Sequence, residues 1–106
     1  MADPDLVDVL RRGTETWNRF RDEHPESQSP NLSRADLQGL NLTDADLHGA
    51  NLTGANLPDA TLTGARLTEA QLSQVKAERA RFDGAILQRA RLTGADLSQA
   101  SFVEAD

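Results

Sequence analysis

From residue 30 onward, large apolar residues recur every five positions. Leu32, Leu37, Leu42, Leu47, Leu52, Leu57, Leu62, Leu67 and Leu72 hold this spacing without a break, and after Ala77 the series resumes with Phe82, Leu87, Leu92, Leu97 and Phe102. Two residues before each lies a second phased series, alanine from Ala35 onward except at Leu40 and Val75, with Pro30 at its head. A period of five fits no continuous regular element. On an α-helix it advances about 140° per repeat and winds the leucines round every face, and on a flat strand an odd period flips alternate leucines into water. Within a repeat, however, the Ala and the following Leu are two apart, as same-side residues of an extended segment are, which leaves three residues to turn a corner. Gly39, Gly49, Gly54, Gly64, Gly84 and Gly94 all fall two residues after the central Leu or Phe, where a corner asks for positive φ. Near-right-angle corners close four repeats into a square coil of about 20 residues, with coils stacked by backbone hydrogen bonds at ~4.8 Å. Residues 30–106 then make about four coils round a solid aliphatic interior.

Residues 1–29 lack this phase and predict a helix, with Asp3 as N-cap, Pro4 in the first helical position and Pro25 as the stop. Leu6, Leu10, Trp17 and Phe20 are spaced to form one apolar stripe, with Gly13 giving close approach or a weak point in the middle. The first coil of a solenoid exposes its apolar cross-section and unpaired backbone, so the helix is expected to cap it. The linker Glu26–Ser29 lets it fold back over Leu32, Leu37, Leu40 and Leu42, and the large Leu40 in an alanine position suits a site under a cap. At the other end Leu87, Leu92, Leu97 and Phe102 are expected to line an open surface. A twofold mate, giving a homodimer through the C-terminal coil, another partner, or further chain are the candidates to cover it.

Stretches such as Ala45-Asp46-Leu47-His48-Gly49 and Ala50-Asn51-Leu52-Thr53-Gly54 resemble the A(D/N)Lxx signature of pentapeptide-repeat proteins. The resemblance implies an all-β solenoid, the right-handed quadrilateral β-helix, with the central Leu or Phe and the preceding Ala inside; the handedness comes from the resemblance alone. Glu15-Thr16-Trp17-Asn18-Arg19-Phe20-Arg21 resembles a leader found ahead of the repeats in some bacterial members. The chain therefore divides into a helical cap and linker, 1–29, and a pentapeptide-repeat β-helix of about four coils, 30–106.

Composition narrows the chemistry. A chain of 106 residues holds one small domain and excludes a two-domain enzyme. The absence of cysteine excludes disulfides, thiolate metal sites and cysteine nucleophiles, and fits a reducing, cytoplasmic setting. No apolar run approaches the ~20 residues of a membrane span, and Asp3, Asp5 and Asp8 stand where a signal peptide is basic. A net charge of −6 argues against direct nucleic-acid binding. His24 and His48 have no further ligand in phase, and Asp36, Asp44, Asp46, Asp59 and Asp83 are spread round the coil. The hydroxyls of Thr43, Thr53, Thr63, Thr68 and Thr93 follow the period as wall residues without an accompanying base. No enzyme activity, cofactor or metal is expected.

Surface remains. The repeats carry ten acids and seven bases, and five of those bases, Lys76, Arg79, Arg81, Arg89 and Arg91, fall in one stretch. With Ile86 and Val103 outward beside them, they are the candidate protein-interaction patch, suited to an acidic partner. The repeat Val75-Lys76-Ala77-Glu78-Arg79 moves bulk between adjacent inward positions and predicts a small packing defect, while Phe82 and Phe102 are predicted to stack in one column. These features describe a non-catalytic, rigid protein-interaction module or scaffold. The resemblance offers an alternative, a DNA-mimic inhibitor or protector of DNA gyrase, a type II topoisomerase. Such mimicry needs a dense acidic surface, whereas the solenoid nets only −3 and no C-terminal helix follows it.

Overall fold

The computed structural model describes residues 2–106. Two short helices, α1 (Pro4–Arg11) and α2 (Thr14–Glu23), lead into a coil that takes up the rest of the chain. Asp3 caps α1 as expected: its Oδ1 accepts the N–H of Asp5 at 2.9 Å, and Pro4 stands where an N–H would have no helical partner. The single helix expected over this segment is instead a pair. Gly13, at φ 118° and ψ 160°, leaves helical geometry altogether, so the chain bends between Arg12 and Thr14. The break also splits the apolar stripe, leaving Leu10 and Trp17 fully buried but Leu6 and Phe20 only half-buried.

From Asn31 onward, parallel backbone bridges join residues 20 apart, from Asn31 with Asn51 down to Arg81 with Ser101. A bridge at every fifth residue with that offset means four five-residue sides per coil, as the sequence period requires. Each bridge is one residue long. The all-β expectation therefore survives as pairing between coils but not as extended strands, because the corner consumes the residues that would lengthen each bridge. Every corner residue from Arg34 to Glu104 has positive φ, between 59° and 71°. Nine of these corners are not glycine, so the left-handed conformation is held against a local cost of about 1 kcal/mol each by the bonds on either side. Gly49 is different: a Cβ there would meet the carbonyl oxygen of Gln28 at 2.6 Å, where the linker crosses the first coil.

Inside, the central residues from Leu32 to Phe82 are buried to within about 1 % of their surface. At roughly 1.5–3 kcal/mol per fully buried aliphatic side chain, this column is the main source of stability. Phe82 and Phe102 stack with ring centroids 4.9 Å apart and planes within 3°, one coil above the other. Val75 and Ala77 are both buried, and Lys76 between them bridges both Asn56 and Asp96, so the exchanged pair leaves the register intact.

The hydrogen bonding between coils has a direction. Leu52 and Gly54 donate their N–H groups downward to Gln71 and Ser73, while Gln71 returns one bond to Ala50, and this two-to-one pattern recurs on the other sides. The upper edge of a coil is therefore rich in acceptors and the lower edge rich in donors. At the top, the helical segment supplies donors. The N–H of Asp3 bonds Asn31 O at 3.0 Å, the Arg11 guanidinium bonds Asp36 O, and Trp17 Nε1 bonds Asp46 O at 2.8 Å. Arg21 adds bonds to Asp46 O at 3.0 Å and His48 O at 2.9 Å. Asn18 reproduces a missing peptide group, its Nδ2 donating to Asp44 O at 3.0 Å and its Oδ1 accepting the Asp46 N–H at 2.7 Å. Burial lowers the pKa of Arg21 from its ordinary value, and the nearby Asp46 carboxylate opposes that shift.

Candidate functional site

Among the described residues, none covers the lower edge of the last coil in this way. The N–H groups of Leu92, Gly94, Leu97, Gln99, Phe102 and Glu104 point the way their counterparts above them do, with no acceptor among the described residues. Leu87, Leu92 and Leu97 are half-buried, and Phe102 and Val103 are 37 % and 65 % exposed, whereas Leu32, Leu37, Leu42 and Leu47 at the top are essentially inaccessible. The structure thus brings together Leu87, Leu92, Leu97 and Phe102 as one apolar layer ringed by backbone donors.

It does not bring the five clustered bases together. With 20 residues per coil, Lys76 and Arg79 lie on the second side, Arg81 on the third, Arg89 on the fourth and Arg91 on the first of the next coil. A stretch of 16 residues covers most of a coil, so a run of charge in sequence becomes a belt in space. Ile86 shares its side with Arg89, and Val103 shares its side with Arg81.

Most of the belt is neutralised. Arg79 forms a two-pronged bond with Asp59, one coil above, at 2.8 and 3.2 Å, and this holds the Asp59 carboxyl below its ordinary pKa. Arg89 lies 3.7 Å from Glu69, Arg66 lies 3.7 Å from Asp46, and Arg81 lies 3.4 Å from Asp83. Asp83 is lowered chiefly by the Ser101 hydroxyl, with help from the Val103 N–H and Arg81. Asp96 is lowered by the hydroxyl and N–H of Ser98. These pairs are exposed, where each is worth little, but those of Arg66, Arg79 and Arg89 join successive coils along the outer wall.

No group of His, Asp or Glu able to hold a metal ion occurs among the described residues, and no described helix is long and apolar enough to cross a membrane. His24 instead stacks on Phe20 at 4.3 Å, with its Nδ1 2.9 Å from the Phe20 carbonyl. What sequence reasoning missed is the distribution of acids. The first side of the coil (31–35, 51–55, 71–75 and 91–95) carries none, while the other three share all ten. Reading the chain in rows of twenty shows this; a linear count does not.

A fold of single-residue bridges round an Ala/Leu interior, one coil per 20 residues, defines a class, and the comparisons agree. Eight copies of the family described as Pentapeptide repeats are matched, over residues 31–68 and 65–102, and the chain belongs to this family. It is similar to the crystal structure of alr5209, a pentapeptide repeat protein from Nostoc PCC 7120, with 32 % identity over 80 % of this chain and 73 % of that one, at a TM-score of 0.68. It is also similar to a pentapeptide repeat protein of the Arabidopsis thaliana thylakoid lumen, with 30 % identity over 74 % of this chain and 61 % of that one, at a TM-score of 0.36. HetL, involved in heterocyst differentiation regulation in Nostoc sp. strain PCC 7120, is 31 % identical over 73 % of this chain and 46 % of its own, at a TM-score of 0.35. No curated protein matches the sequence.

Proposed function

We propose that this chain is a right-handed quadrilateral β-helix, capped at its first coil by α1 and α2, that works as a non-catalytic protein-interaction module and self-associates through its last coil. The observation that carries the reading is the contrast between the two ends. The upper edge is met by donors from Trp17, Asn18 and Arg21, and the lower presents Phe102 and Val103 to solvent beside unpaired N–H groups. An exposed apolar layer is an association surface, and because a twofold mate sets donors against donors, the contact is made by the side chains with the N–H groups bridged through water. A second copy related by a twofold axis brings the same layer, so Phe102 extends the Phe82 stack to its mate.

The charge distribution does not favour DNA mimicry. An acid-free side and carboxylates already paired with arginine leave no continuous acidic surface of the kind a duplex presents.

Light scattering over a concentration series tests the reading. The mass is expected to rise toward twice the 11.5 kDa of one chain, and Val103→Glu, which alters an exposed position and leaves the fold intact, is expected to hold it at one. A constant single-chain mass at the highest concentration overturns self-association. A rise that Val103→Glu and Phe102→Ser both leave untouched overturns the last coil as its site.

A further inference from the structure

We propose that the acid-free first side of the coil is the docking face for an acidic, extended polypeptide segment running along the solenoid axis. This rests on the reading of the chain as an interaction module and names a partner class and a place.

The argument is one of charge complementarity on a chain that is otherwise acidic. On the second, third and fourth sides, Arg66, Arg79, Arg81 and Arg89 each have a carboxylate within 4 Å. Lys76 shares its side with Glu78 and Asp96. Arg34 and Arg91, on the first side, have no ion pair among the described residues. Lys76 also forms no ion pair among the described residues, but Arg34 and Arg91 are the cations that lie on the side without acids.

Their placement sets the partner's geometry. Arg34 stands in the first coil with its stem laid over Gly54, where a Cβ would meet its Cγ at 3.3 Å, so the side chain runs down the face. Arg91 stands three coils lower, about 14 Å along the axis at ~4.8 Å per coil. An extended chain advances ~3.4 Å per residue, so about four residues cover the axial rise between the two backbone positions, and the long arginine side chains reach carboxylates within that length. Between them lie the files Asn51–Gln71 and Thr53–Ser73, whose amides and hydroxyls can bond the backbone of such a segment. Glu69 borders the face on one flank and is occupied by Arg89 at 3.7 Å, while Asp36 and Asp96 open the second side on the other flank and confine the acidic segment to the middle of the face. At the upper corner, beside Arg34, a groove lined by Pro4, Val7 and Ala35, together with Arg11 and Asp36, adds room for one apolar side chain of the segment.

Fluorescein-labelled decaglutamate is the probe, titrated by anisotropy at low salt, with amide shift mapping to locate it. Binding is expected to perturb Asn51, Thr53, Gln71 and Ser73. The double variant Arg34→Gln/Arg91→Gln is expected to weaken it at least tenfold, and Arg79→Gln/Arg81→Gln, on the second and third sides, less than twofold. All four arginines are exposed, so both variants keep the fold, which circular dichroism checks. No binding, shifts on another side, or equal weakening by the two double variants overturns the proposal. Tighter binding of an oligothymidylate of equal length, lost with Arg34 and Arg91, overturns the polypeptide assignment in favour of a phosphate backbone. A dimer by light scattering together with failure of the probe refutes this face and leaves the interaction module standing.

Discussion

Replacing Trp17 by alanine is expected to lower the unfolding free energy by about 3–5 kcal/mol, read as a fall in the urea midpoint. The size follows from two losses in one residue. Trp17 is fully buried between α2 and the first coil, and its indole N–H satisfies the Asp46 carbonyl at 2.8 Å, at the acceptor-rich edge. Removing the ring opens a cavity over the aliphatic column and leaves Arg21 as the donor to that oxygen. The neighbouring Asn18→Leu keeps bulk but removes both peptide-like bonds, and about 1–3 kcal/mol of loss is expected there because Asp46 N–H and Asp44 O are left unpaired. If Trp17→Ala melts like the parent, the helices do not support the solenoid.

The second large effect separates two phenylalanines at the same column position. Phe82→Ala is expected to cost about 3–5 kcal/mol and Phe102→Ala roughly 1 kcal/mol, at concentrations where the chain is a monomer. Phe82 is enclosed above by the column and below by Phe102, whereas Phe102 has the ring above it, 37 % exposure and no described residue below. Equal costs would mean that the last coil is as well packed as the third, and the asymmetry of the ends would be lost.

How much of this was legible in sequence depends on whether a residue acts through the repeat or outside it. The coil, its 20-residue offset, the inward Ala and Leu, the corner at the fourth position and the Phe82–Phe102 stack all follow from the period of five, because a closed coil leaves each phased position one environment. The helical segment has no period, so Gly13 read as a weak point in one helix when its backbone conformation makes it the junction of two. The donors Trp17, Asn18 and Arg21 were beyond sequence reasoning for another reason: nothing in the order of residues reveals that coil bonding is two-to-one and leaves carbonyls at the top. The basic stretch misled because adjacency in sequence is not adjacency on a square coil. Lys76 and Arg91 are 15 positions apart and on different sides, while Arg79 and Asp59, 20 apart, bond at 2.8 Å.

Residue-resolved amide hydrogen exchange, repeated at low and high protein concentration, tests most directly the claim that one end is sealed by the chain itself and the other is left for association. The amide of Asp46, held by Asn18 Oδ1, is expected to be protected equally at both concentrations, and those of Leu92, Leu97 and Phe102 to exchange freely when dilute and slow as concentration rises. An Asp46 amide exchanging as fast as the last-coil ones, or last-coil amides indifferent to concentration, would contradict it.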